Sequence, residues 1–162
     1  MLRILILEDG TGVWHRMVSV FVFARRLGAG LELAYALQAA SALGAAFFVT
    51  RSWLRDDPPH IRNAMMIVGT CLATPYLQDY DLVMGVFVVV WLQQEEVRSR
   101  IPVQWVRAAM AMILLLPAVA SPLAKATGLA FGPVFFFPVF ALLIFLSGER
   151  HQLGVGPLEA TS

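Results

Sequence analysis

The sequence predicts an all-α, polytopic integral membrane helical bundle, and three observations predict it. Of its 162 residues, 59% are hydrophobic and only 14% charged, with a mean hydropathy of +0.72, well to the apolar side of globular usage. The apolar residues fall in long runs separated by short charged loops, and the longest runs reach the length needed to cross a hydrocarbon layer of about 30 Å. Pro133 and Pro138 lie inside such a run, where neighbouring membrane helices can satisfy the carbonyls that proline frees. Roughly four or five membrane segments are expected, with a broken helix or re-entrant hairpin around Pro75 to Asp81 and an N-terminal interfacial amphipathic helix.

Three regions follow in order. Residues 1–30 form the least membrane-like part, mixing Glu8, Asp9, Arg16, Arg25 and Arg26 with apolar residues, and Gly10-Thr11-Gly12 reads as a turn. Ile4 to Leu7 is too short for a signal-peptide apolar region, so insertion must use later segments. From Met17 to Leu27, the residues Met17, Val20, Phe21, Ala24 and Leu27 recur at helical spacing, which suggests a short amphipathic helix on or near the interface. Trp14 and His15 suit the headgroup belt beside it, and Gly28 and Gly30 end it.

Residues 31–147 form the bundle. Leu31 to Val49 is apolar apart from Glu32, Gln38 and Ser41, and its alanines and Gly44 allow close helix approach. Arg51, Trp53 and Arg55 mark an interface, and Asp57-Pro58-Pro59 is a loop. Ile61 to Leu92, about 32 residues, is too long for one straight crossing and short for two, so two tilted or partial helices hinged at Pro75 to Asp81 fit best. Gln93 to Arg100 is a loop, and Val103 to Ala120 is a second span that Pro117 and Pro122 kink or end. Ala126 to Leu146 is a Phe-rich last span, and residues 148–162 are a polar tail.

The charges bear on orientation. With Ile61 to Leu92 entering and returning, Arg51, Arg55, Arg62, Arg98, Arg100, Arg107 and Arg150 face one side, against Arg3, Arg16, Arg25, Arg26 and Lys125. The first side is then cytoplasmic, with the C-terminus. A single passage would regroup the charges more unevenly, but the hairpin alone brings Trp14-His15-Arg16 and Asp79-Tyr80-Asp81 to one face. The net charge of +1 offers no field for nucleic acid. Cys71, the only cysteine, sits in an apolar run and excludes an internal disulfide.

Asp79 and Asp81 lie between apolar runs, where ionisable groups are expensive unless they meet water, protein partners or a ligand. Pro75 lacks the helical donor and pushes Thr74 out of helical geometry, so the helix breaks where the acids begin. On a regular helix the two acids would diverge by about 200°, whereas in a turn both can address one cavity. There they suit a divalent cation, sugar hydroxyls or an arginine; alternatively they cap the helix starting near Leu82. His15 and Arg16 form a cation-capable pair beside Trp14, with Arg16 suited to a phosphate or to a lipid headgroup. Tyr76, Gln78 and Tyr80 complete the candidate substrate-binding set of His15, Arg16, Tyr76, Gln78, Asp79, Tyr80 and Asp81. The sequence holds no Gly-rich phosphate loop, metal-spaced Cys and His set or nucleophile elbow.

The run Trp14-His15-Arg16-Met17-Val18-Ser19-Val20-Phe21, with Ala24-Arg25-Arg26-Leu27-Gly28, Asn63-Ala64, Leu72-Ala73-Thr74-Pro75-Tyr76 and Asp79-Tyr80-Asp81-Leu82, resembles the C-terminal half of glycosyltransferase family 87. The resemblance spans roughly residues 10 to 120. It implies a GT-C type bacterial inner-membrane enzyme that transfers a hexose, often mannose, from a polyprenyl-phosphate sugar to a glycolipid or glycan acceptor on the outer face. Its partners would be membrane lipids, that donor and that acceptor. The family's general base is an acid in the first extracytoplasmic loop, which this chain does not match, so the resemblance implies a fragment completed by an N-terminal half. Asp79 or Asp81 is the in-chain alternative for deprotonating an acceptor hydroxyl. The competing readings are a catalytically inactive membrane scaffold or subunit and a small transporter, though no internal repeat supports the latter.

Overall fold

The architecture follows from where the chain can no longer continue as helix. The computed structural model describes residues 16–96 and 101–152. Among these the structure is all-helical, and an isolated antiparallel bridge pairs Met17 with Gln78. Helix α1 (Val20–Arg26) starts at Ser19, whose hydroxyl accepts from Val22 N at 3.3 Å, and stops before Gly28, whose φ of 89° takes the left-handed region that glycine tolerates. Helix α2 (Leu31–Leu54) runs 24 residues, about 36 Å at 1.5 Å per residue. Asp56, at φ 55°, turns the chain into α3 (Pro59–Ala73), which opens on a proline, a position where no N–H is needed. Arg62 meets Asp56 at 2.7 Å and lies 4.8 Å over the Trp53 ring, closing this turn.

Helix α3 ends at Thr74, which is extended at ψ 117° as a residue before proline should be. A 3-10 turn over Asp79–Met84 then feeds α4 (Gly85–Glu96). Helices α5 (Val103–Thr127) and α6 (Gly132–Gln152) complete the described fold. Two helices, α2 and α5, are long and apolar enough to cross a membrane, and α6 contributes a shorter apolar stretch, Gly132–Gly148. The interruption expected at residues 75 to 81 thus lies between Ala73 and Gly85, with one short helix on each side.

Three expectations need correction. Pro117 and Pro122 do not end α5; both are exposed, and the helix runs on until Gly128 turns left-handed at φ 75°. Ala126 and Thr127 therefore close α5 instead of opening the last span, which starts at Gly132. The apolar stripe of α1 is absorbed by protein instead of being laid on a surface: Met17, Phe21, Val22 and Ala24 pack with Ala34 and Ala130 in a small core of their own. Phe21 stacks at 4.7 Å on Tyr35, and only Leu27, 61% exposed, is left outside. The Gly10-Thr11-Gly12 turn and the tail beyond residue 152 lie outside the described residues.

The main core surrounds α3, whose Ile61, Met65, Val68 and Leu72 recur at helical spacing and are fully buried. They meet Val88 and Leu92 of α4, Ile113 and Leu116 of α5, and Val139 and Leu143 of α6. Small residues permit the closest approaches. A Cβ on Gly85 would sit 2.5 Å from Ile113 Cγ2, and one on Gly132 would run into the Val18 carbonyl oxygen.

Candidate functional site

The site begins with the carbonyls that Pro75 leaves without helical donors. Gln38, buried in apolar α2, donates from Nε2 to Leu72 O and Ala73 O, both at 3.0 Å, and Ser41 Oγ donates to Leu72 O at 3.0 Å. The same amide accepts at Oε1 from Phe21 N, 2.9 Å away in the first turn of α1. One side chain therefore fixes α1 and the end of α3 to α2, satisfying buried groups that would otherwise cost about 1–3 kcal/mol each.

Beyond this clamp, residues 17–18 run against residues 77–78. Met17 bridges to Gln78, and Val18 N donates to Leu77 O at 3.0 Å. That pairing carries Arg16 to Asp79. Arg16 Nε donates to the two Asp79 oxygens at 3.3 and 3.4 Å, and Nη2 stands 3.3 Å from Oδ1. The side chains are 48% and 18% exposed, so solvent screens the pair and its intrinsic stabilisation is about 0–1 kcal/mol. Asp79 Oδ1 also accepts from Tyr80 N at 3.1 Å.

Asp81 has a different task. Its Oδ2 accepts from Gln78 N at 3.0 Å, while the Gln78 side chain accepts from Asp81 N, a reciprocal box that caps the 3-10 turn. Asp81 thus acts as a cap, though of a 3-10 turn that begins at Asp79 and not of a helix starting near Leu82, and it occupies the Gln78 backbone N–H. Tyr76 and Tyr80 are exposed. Next to the ion pair lies a half-open groove of about 210 Å³. Asp79 and Tyr80 line its polar end; Leu82, Val83 and Val86 on one wall and Ile113, Leu114 and Pro117 on the other make its body apolar.

The structure thus brings together Arg16, Asp79 and Tyr80 of the candidate set, turns Asp81 and Gln78 to each other, and leaves Tyr76 at the surface. His15, with Trp14, lies outside the described residues. Among the described residues no group of three or more His, Cys, Asp and Glu is placed to hold a metal ion. Among the described residues, a divalent cation at Asp79 and Asp81 would have those two carboxylates, one of them engaged as a cap.

Sequence reasoning missed two polar clusters. Gln38 and Ser41 were visible as lone polar residues three apart in an apolar helix, and that spacing puts them on one face. The second cluster joins the far end of the bundle: Asp57, 2% exposed, accepts at Oδ2 from Ser52 Oγ at 2.6 Å and from Ser147 Oγ at 2.5 Å. Nothing in the sequence separates Asp57 from an ordinary loop aspartate before proline.

An all-helical chain with two apolar helices of membrane-crossing length, and with a charged pair and an amphipathic groove at a helix break, has the features of a helical membrane protein. Residues 2–75 match the family model of Glycosyltransferase family 87, and this match supports assignment of the chain to that family and, in general terms, to glycosyltransferase activity. The matched stretch holds Arg16, Gln38 and Ser41 and stops short of Asp79. No curated protein and no solved structure matches the chain.

Proposed function

We propose that the chain is part of a multi-pass hexosyltransferase of the bacterial inner membrane, moving a hexose, mannose among them, from a polyprenyl-phosphate donor to a glycolipid or glycan acceptor on the periplasmic side. One observation carries the reading: Arg16, within the family-matched stretch, is held against Asp79 at the polar mouth of a groove whose body is apolar. A lipid-linked sugar is divided in the same way, with a charged and hydroxylated head on an apolar tail. The Arg16 guanidinium suits phosphate oxygens, the Asp79 carboxylate suits sugar hydroxyls, and Tyr80 offers a ring face beside them. Transfer also needs a group that takes the proton of the acceptor hydroxyl. Asp79 is the carboxylate that lines the groove among the described residues. In this reading α3 and α4 enter and return, the membrane segments number roughly four or five, and the C-terminus is cytoplasmic.

The test is transfer of radiolabelled hexose from a polyprenyl-phosphate donor in membranes bearing the chain, alone and co-expressed with the N-terminal half of a family member. Transfer in either case that collapses on Asp79→Asn supports the assignment. Absence of transfer in both leaves the scaffold reading in its place.

A further inference from the structure

Two ion pairs among the described residues are built differently. Arg62 meets Asp56 at 2.7 Å, whereas all the Arg16 to Asp79 contacts lie between 3.3 and 3.4 Å, longer than charge-assisted bonds run when fully seated. The backbone under the looser pair is nevertheless fixed, by the bridge from Met17 to Gln78 and by the bond from Val18 N to Leu77 O. Asp79 has a second anchor in Tyr80 N. The Arg16 side chain, half exposed on its flexible stem, is therefore the member free to swing, and Asp79 keeps its aim when it does. Because Asp79 lines the groove, that guanidinium stands one hydrogen bond from the groove mouth.

Resting on the lipid-linked donor reading, we infer that the Arg16–Asp79 pair is an exchange latch. A phosphate whose apolar chain lies in the groove takes Arg16 from Asp79, and the exchange releases the Asp79 carboxylate toward a hydroxyl of the bound sugar or acceptor. The phosphodiester of a lipid-linked sugar carries one full negative charge, as a carboxylate does, and its two non-bridging oxygens match the guanidinium fork. After the exchange Arg16 neutralises the phosphate, and Asp79 becomes available as a hydrogen-bond acceptor for a hydroxyl. Carboxylate and phosphate are thus rivals for one cation, which fixes the sign of an otherwise surprising result. Removing the charge of Asp79 must tighten phosphate binding, although it removes a group that lines the site.

The experiment measures binding of radiolabelled farnesyl phosphate to the full chain in detergent micelles, with farnesol, inorganic phosphate and phosphatidylglycerol as comparison ligands. Farnesyl phosphate is expected to bind more tightly than farnesol or inorganic phosphate and to resist displacement by phosphatidylglycerol. Asp79→Asn should tighten farnesyl phosphate by up to about fivefold, the gain from freeing Arg16 of one exposed ion pair. Asp79→Ala should act in the same direction, so one misfolded variant does not decide the matter. Arg16→Gln should erase the advantage over farnesol, and Leu114→Trp, which fills the groove, should weaken both farnesyl ligands. Unchanged or weaker farnesyl phosphate binding in the Asp79 variants overturns the latch. So does inorganic phosphate binding as well as farnesyl phosphate, or equal displacement by phosphatidylglycerol, which would mark a general headgroup site. Sugar transfer enters none of these measurements, so a failure of the latch is told apart from a failure of the transferase reading.

Discussion

Replacing Gln38 by leucine isolates the clamp beneath the site. The side chain makes three hydrogen bonds, to Phe21 N, Leu72 O and Ala73 O, but their loss is unequal. Leu72 O keeps Ser41 as a donor, so two backbone groups are orphaned, the buried Phe21 N and the partly buried Ala73 O. At about 1–3 kcal/mol for each unsatisfied group, with the lower half of that range favoured because hydrogen bonds in membrane proteins measure weakly, the gross loss is about 3 kcal/mol. The leucine returns about 1 kcal/mol through its extra apolar carbon surface. The net expectation is a destabilisation of about 2 kcal/mol, roughly thirtyfold in the folded-to-unfolded ratio. Reversible unfolding by sodium dodecyl sulfate in mixed micelles, followed by circular dichroism, measures it. Ser41→Ala alone should cost under about 1 kcal/mol, because Gln38 still serves Leu72 O. The double variant should cost more than the sum of the two, because only then does Leu72 O lose every donor. An additive double variant, or a Gln38→Leu protein as stable as the parent, would refute the clamp.

Three further outcomes are expected. Gly132→Ala drives a methyl into the Val18 carbonyl, so it should destabilise the chain by about 2 kcal/mol or more and speed hydrogen exchange at Val18 N, which is bonded to Leu77 O. Gly85→Ala meets a side chain, Ile113 Cγ2 at 2.5 Å, so its cost of about 1–2 kcal/mol should vanish when it is made in an Ile113→Ala background, which removes that methyl, in the same unfolding assay. Ser147→Ala removes one of the two hydroxyl donors to Asp57 and should cost about 1–2 kcal/mol, with Asp57→Ala costing more because it strands both serine hydroxyls.

The break at the acids was legible in the sequence because proline acts locally: Pro75 removes a donor and restricts Thr74 whatever surrounds it. The long helices were legible because an apolar run of that length has few alternatives. The ends of α5 and α6 were not, because a proline in an apolar run can end a helix or be carried through it, and composition does not say which Pro117 and Pro122 do. The meeting of Arg16 and Asp79 was anticipated only as two polar clusters sharing a face; the bridge from Met17 to Gln78 that brings them together leaves no periodic trace. Asp79 and Asp81 illustrate the limit most sharply. Two apart and chemically identical, they divide into a groove-lining partner of Arg16 and a cap, a division decided by which backbone amides the 3-10 turn leaves free.

What holds such a bundle together differs from what holds a soluble one. Leu33, Leu37, Leu43 and Phe47 of α2, Leu114 and Leu115 of α5, and Phe137 and Phe145 of α6 are all exposed, a surface that is costly in water and ordinary in lipid. Among lipid tails apolar contact between helices gains little, and association depends on close approach at small residues and on polar bonds between helices. The described structure has both: Gly69, Gly85 and Gly132 admit their neighbours, and two polar locks sit at Gln38 and Ser52, about 21 Å apart along α2. The lock at Gln38 lies under the break that Pro75 makes, and it takes the very carbonyls that the break releases. The segment carrying Asp79 therefore returns from a fixed end of α3 onto the bridged backbone of Met17 and Val18, which leaves side-chain rotation as the freedom remaining to Arg16. Since Arg16, Gln38, Ser41, Leu72 and Ala73 all fall within residues 2–75, the family-matched stretch builds the frame. The acids beyond it are positioned by that frame more than by their own helix.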